Sequence, residues 1–224
     1  TLFLVVTNHK ISIQEDFIFE IKQGASLQEV TNELANKDLI VSNLFFKLNA
    51  KIHNIDQTIK AGEYLLSKSE STFTLQRKFI KGNVFYRKFQ LLEGMTIRDI
   101  LELGKSEGIV DDINGDLETL KSKLNINGQT EGLFFPDTFY YHKGELFSSL
   151  LKRSFDKQKT NYLDLWDSRQ KDLPYASFIE AITLASIIEK EGLEKEMIAG
   201  VFINRLIKNM KLQSDPTVIY ALGS

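Results

Sequence analysis

Two stretches of the chain repeat one plan: Phe17-Ile18-Phe19-Glu20-Ile21-Lys22-Gln23-Gly24-Ala25-Ser26-Leu27-Gln28-Glu29-Val30 and Phe89-Gln90-Leu91-Leu92-Glu93-Gly94-Met95-Thr96-Ile97-Arg98-Asp99-Ile100. Each runs from β-formers through a glycine to a hydroxyl residue and then an amphipathic segment. A glycine reverses the chain cheaply because it tolerates positive φ. Ser26 and Thr96 stand where a helix needs an N-cap, and Glu29 and Asp99, three residues on, complete capping boxes. A strand that turns directly into a capped helix, twice, predicts an α+β chain.

The rest of the pattern fits that class. After the first unit, 42–53 reads as a helix and 61–66 as a returning strand. Strand, helix, helix, strand within 17–66 is the layout of a LysM-type module; a generic α+β subdomain without glycan affinity has the same signature. The spacing further predicts a helix over 72–81 closed by Gly82, a strand over 84–92, and helices over 96–107, 117–124, 146–158, 176–191 and 195–208. The expected division is a mixed N-terminal region, 1–82, and a mainly helical region, 83–224. The apolar opening, Thr1 to Val6, reads as a first strand or as the tail of a signal or anchor helix. With the chain stopping at Ala221-Leu222-Gly223-Ser224, truncation at both ends is expected.

Composition removes several chemistries. The 224 residues contain no cysteine, which excludes disulfides, thiolate metal sites and cysteine nucleophiles. His9, His53 and His142 are far apart, so no histidine metal site or triad is expected. Acidic and basic residues are interspersed at a net charge of −2, without the one-sided basic face of a nucleic-acid binder. No nucleophile elbow, phosphate loop or dinucleotide glycine motif occurs. Acid–base chemistry by carboxylates remains, with no cofactor and no metal.

Three elements can carry it. The first is Ala185-Ser186-Ile187-Ile188-Glu189-Lys190-Glu191-Gly192. At about 100° per residue, Phe178, Ile182 and Ala185 lie within roughly 40° of Glu189, and Glu191 lies nearly opposite beside Glu180. Glu189 is thus the carboxylate on an apolar stripe, where desolvation would favour the protonated form that a general acid needs; Glu191 is expected to face water or a partner. The alternative is an exposed helix-end glutamate balanced by Lys190. The second element is Glu131-Gly132-Leu133-Phe134-Phe135-Pro136-Asp137-Thr138-Phe139-Tyr140-Tyr141. Its aromatic side chains suit the apolar faces of sugars, with Glu131 and Asp137 as the polar groups; a packed aromatic loop with Asp137 as a cap is the other reading. The third is Gln213-Ser214-Asp215-Pro216-Thr217-Val218-Ile219-Tyr220. Pro216 suits the first turn of a helix and Asp215 its N-cap, or Gln213, Asp215 and Thr217 line a polar groove beside Glu189. Asn204 lies on the intervening helix, and Arg205 is expected at the surface or in an ion pair.

Together these stretches, with Val201-Phe202-Ile203-Asn204-Arg205-Leu206, resemble the YceG-like endolytic murein transglycosylase family. The resemblance covers roughly Phe17 to the end. It implies a LysM-like βααβ subdomain ahead of the catalytic part. It also implies a bacterial protein on one N-terminal membrane anchor, its catalytic part facing the periplasm or wall. The implied reaction is cleavage of the MurNAc–GlcNAc bond within nascent peptidoglycan strands to give 1,6-anhydro ends. By resemblance Glu189 is the catalytic residue, and Glu131, Asp137, Asn204, Gln213, Asp215, Thr217 and Tyr220 contact substrate. Peptidoglycan strands and penicillin-binding synthases are the implied partners. The chain departs from the family pattern at Gly192, where threonine is usual. A glycan hydrolase using Glu189 with Asp215 or Glu131, and a wall-binding scaffold built on the region of Gly24–Leu27, are the rival expectations.

Overall fold

The turn glycines and caps sit where the pattern predicted them. The computed structural model describes residues 15–40, 42–52, 59–67, 70–107 and 109–222. The Thr1–Val6 segment, His9 and His53 lie outside the described residues. Gly24 and Gly94 take φ +79° and +75°. Ser26 with Glu29 and Thr96 with Asp99 form complete capping boxes, and Ser71 with Thr74 forms a third that the sequence reading missed.

Contacts divide the described residues into two units, 15–87 with 141–143 and 88–140 with 144–222. The first unit runs β1 (Phe17–Ile21), α1 (Leu27–Asn36), α2 (Asn43–Ile52), β2 (Gly62–Leu66) and α3 (Thr72–Lys81). β1 and β2 are antiparallel, with Phe19 opposite Tyr64 and Ile21 opposite Gly62. Their inner faces pack on Leu34, Phe46, Leu75 and Phe79, all fully buried. Tyr64 meets the Phe79 ring edge-on at 4.8 Å and donates its hydroxyl to the Lys60 carbonyl; burial pushes this phenol up to about 12. The buried amides of Asn49 and Gln76 bond to each other, and Gln76 also donates to the Phe46 carbonyl, so neither is left unsatisfied in the core. Gly82 closes α3 in the left-handed region at φ +69°.

The second unit contains α4 (Ile97–Ser106), α5 (Leu117–Leu124), α6 (Phe147–Ser168), α7 (Phe178–Glu191), α8 (Lys195–Ile207) and α9 (Asp215–Leu222), with most of the paired strands β3 (Arg87–Gln90) and β4 (Thr138–Tyr141), whose outer residues Arg87 and Tyr141 belong to the first. Nine helices and two small two-stranded sheets among the described residues make the chain α+β and mostly helical. The core of this unit gathers Phe89, Ile113, Leu120, Leu150 and Leu151, with the Phe89 and Phe147 rings edge-to-face at 5.7 Å. The N-cap position of α6 is Leu146, which offers no side-chain bond. Asp112, 36 residues before Ser148, takes over and accepts from both the N–H and the hydroxyl of Ser148.

Three expectations are corrected. The strand over 84–92 shortens to Arg87–Gln90, because the Phe85 N–H is already committed to the Glu63 carbonyl of β2. Residues 138–141 of the aromatic loop form strand β4. The helix expected to stop at Gln158 continues to Ser168, since Tyr162 and Trp166 pack against Phe178 at 4.2 and 6.3 Å.

Candidate functional site

α7 follows Ser177, whose hydroxyl accepts from the Glu180 N–H, and reaches Gly192, an extended residue that breaks the helix. Leu184 is its one buried side chain. Phe178 and Ile182 of the expected stripe are half-buried, but Ala185 is exposed, so the stripe under Glu189 is only partly covered. The Glu189 side chain is 31% exposed and forms an ion pair with Lys195 at the start of α8. Lys195 escaped the sequence reading, although the Gly192 break brings any residue at the start of α8 back toward the end of α7.

Glu191 is exposed, as expected, and its Oε2 also accepts from the hydroxyl of buried Ser214 at 2.7 Å, a contact the sequence reading missed. Arg205, expected at the surface or in an ion pair, is half-buried and donates from its guanidinium to the Leu212 carbonyl. These two bonds hold the segment between α8 and α9 from either side of Gln213. Gln213 accordingly sits at φ +54°, a left-handed conformation that a non-glycine residue keeps only when its surroundings enforce it. Asp215 begins α9 rather than capping it, and the Ser214 carbonyl accepts from the Thr217 N–H and hydroxyl. A shallow groove runs along 211–218 and includes Gln213, Asp215 and Thr217. The third sequence element is thus one groove, fastened to the last residue of the helix that carries Glu189. Asn204 and Tyr220 are exposed on α8 and α9, outside the residues that line it.

The second element splits. Asp137 pairs with Lys157 of α6 and accepts from the Thr138 N–H; the Lys157 bond comes first in holding its carboxyl below the usual range, with the Thr138 bond next. Lys157 also lies over the Phe135 ring at 4.8 Å. Glu131 is half-buried, and burial pushes its carboxyl up despite the N–H that Ile97 donates to it at 3.0 Å. Buried Gln158, which the sequence reading also passed over, donates to the Gly132 carbonyl at 2.8 Å.

Among the described residues no group of three or more His, Asp or Glu side chains is placed to hold a metal ion, and no helix is long and apolar enough to cross a membrane.

The molecule is a mostly helical α+β chain in which Glu191, at the end of α7, bonds to Ser214 of a shallow groove. Residues 19–224 match the model of the YceG-like family, and the chain belongs to that family. It is similar to the endolytic murein transglycosylase of Streptococcus pneumoniae strain D39, at 28% identity over 91% of this chain and 42% of the relative. The protein of that name from Bacillus subtilis 168 is 29% identical over 91% of this chain and 62% of its own. The chain therefore spans between about two fifths and three fifths of these relatives. A crystal structure of a YceG-like protein from Listeria monocytogenes aligns with a TM-score of 0.47 at 26% identity, over 95% of this chain and 77% of that one.

Proposed function

We propose that the chain belongs to an endolytic lytic transglycosylase that cuts peptidoglycan strands between MurNAc and GlcNAc. Family membership and the names of its relatives support the class. The observation that carries the site is the fastening of the 211–218 groove to Glu191, two residues from Glu189. In this reading Glu189, protonated, gives its proton to the glycosidic oxygen as the C1–O bond breaks. The bond electrons leave with that oxygen, and the muramoyl ring passes through an oxocarbenium-like state. The ring's own C6 hydroxyl then attacks C1, and the Glu189 carboxylate takes the hydroxyl proton. One carboxyl serves both steps and no water is consumed, unlike in the paired-carboxylate glycosidases. The Lys195 contact is open during the first step and can re-form once the carboxylate appears.

Gln213, Asp215 and Thr217, which share the groove, are proposed to hold the glycan, with Asn204, Tyr220 and Asp137 as flanking contacts. The β1-α1-α2-β2 order of the first unit supports a LysM-like role in retaining the strand. The proposal includes an N-terminal anchor in the bacterial cell membrane, the catalytic part outside it, and cell-wall synthases as partners; the family resemblance supports these points.

The test is mass spectrometry of uncrosslinked peptidoglycan incubated with the full-length protein and its Glu189→Gln variant. Anhydro ends from the wild type, reduced by roughly 10²-fold or more in the variant, are expected. Reducing ends would assign a hydrolase, and strands bound but uncut would assign a wall-binding protein. Equal activity of the variant would remove Glu189 from the chemistry.

A further inference from the structure

Three elements close on Glu131 and Gly132. The Ile97 N–H at the start of α4 donates to Glu131 Oε2 at 3.0 Å. From α6, the buried Gln158 amide donates to the Gly132 carbonyl at 2.8 Å. Ile182 of α7 lies directly on Gly132, where a Cβ would stand 2.4 Å from the Ile182 Cγ2. Two helical turns later on α7, Lys190 lies on Gly94, where a Cβ would stand 2.8 Å from its Cε. Both glycines are at positive φ, +78° and +75°, so each turn presents bare backbone to one side chain of α7.

The two turns are therefore seats for one helix. Gly94 belongs to the turn that leads into α4, and the Glu131 bond to Ile97 joins that turn to the Gly132 turn. Ile182 and Glu189 are seven residues apart and project within about 20° of one another, and Glu189 immediately precedes Lys190. Whatever sets the two seats sets the position of Glu189. We propose that Glu131 is a positioning residue: by bonding the first turn of α4 it fixes the two glycine seats on which α7 rests, and so places Glu189. This gives Glu131 a role distinct from substrate contact, with one carboxylate oxygen already committed to backbone. The inference rests on Glu189 as the acid–base group, and general acid–base work is sensitive to placement, with about 1 Å of displacement able to cost around 10²-fold.

The experiment compares Glu131→Ala and Glu131→Gln in the full-length protein by kcat and KM on uncrosslinked glycan and by amide hydrogen exchange along α7. Glutamine keeps an oxygen that can accept from Ile97. The expected result is a kcat about 10–100-fold lower for Glu131→Ala at unchanged KM, with faster exchange in α7, and near wild-type values for Glu131→Gln. Unchanged kcat and exchange in Glu131→Ala overturns the proposal. A rise in KM alone, or a loss that Glu131→Gln shares, overturns it too, since either makes the charge or a substrate contact the point. If Glu131→Ala does not fold, Ile182→Ala empties the same seat and is read in the same two ways. Should the wild type make no anhydro product, the transglycosylase reading fails on its own, and the exchange measurement still decides the seating of α7.

Discussion

The buried Ser214 hydroxyl donates to Glu191 Oε2 at 2.7 Å, joining the groove segment to the end of α7 across 23 residues of chain. This bond explains why a run of two glutamates ends the helix. The first stands partly exposed beside Lys195, and the second holds a turn.

Ser214→Ala removes that bond. A hydrogen bond to a charged group contributes about 1.5–3 kcal/mol, and the exposed Glu191 can rehydrate, so the loss falls at the lower end. Thermal unfolding should show a fall of a few degrees. Because Gln213 and Thr217 flank Ser214, KM for glycan strands should rise several-fold while kcat changes little. A kcat loss as large as that of Glu189→Gln would contradict this division of roles.

Asp112 couples stability to acid. Burial opposes its ionisation, but the Lys123 ammonium and the hydroxyl and N–H of Ser148 outweigh burial and lower its carboxyl from 3.8 to about 2. A lowered folded value means that the ionised group stabilises the fold above its unfolded value and loses that contribution as pH falls through the folded one. Asp112→Asn should therefore unfold more easily at neutral pH, by ~2 kcal/mol. Urea titrations should show the gap to wild type shrinking between pH 3.8 and about 2, and a gap that stays constant would exclude the assignment.

Glu131 has the opposite sign. Burial raises its carboxyl, Asp99 adds to that, and the Ile97 N–H works against it. Lys190 and Arg98 both act on neighbouring Asp99. A raised folded value gives stability that is complete below the unfolded value near 4.5 and is lost as pH rises through the folded one. Glu131→Gln should thus match wild type at pH 4 and be equal or more stable at pH 7, by chemical denaturation. Greater stability of the wild type at pH 7 would refute it.

Gly104 lies inside α4, where alanine would ordinarily gain about 1 kcal/mol. A Cβ there would stand 2.3 Å from the Phe147 ring. That ring is 2% exposed and packs edge-on against Phe89, so it cannot give way. Overpacking should win, and Gly104→Ala should lose about 1–3 kcal/mol by urea titration.

Much of the fold was legible because its signals are short-range. The Ser26–Glu29 and Thr96–Asp99 boxes are bonds between residues three apart, and Gly24, Gly82 and Gly94 stop or reverse the chain by their own φ. The errors fell where a distant partner outbid a local preference. Residues 138–141 look like aromatic packing and become a strand only because β3 is there to pair with. α6 outran its apolar pattern because Phe178 receives Tyr162 and Trp166.

The candidate site divides the same way. The sequence by itself determined the α+β plan, the capped helices and the family, and it offered Glu189, Gln213, Asp215 and Thr217 as candidates. Only the tertiary structure decided what those residues touch. Lys195 on Glu189, Ser214 on Glu191, Ile97 on Glu131 and the Ile182 seat at Gly132 all join separate elements. Local preference acts over three or four residues, and such pairings exist only after the helices have packed.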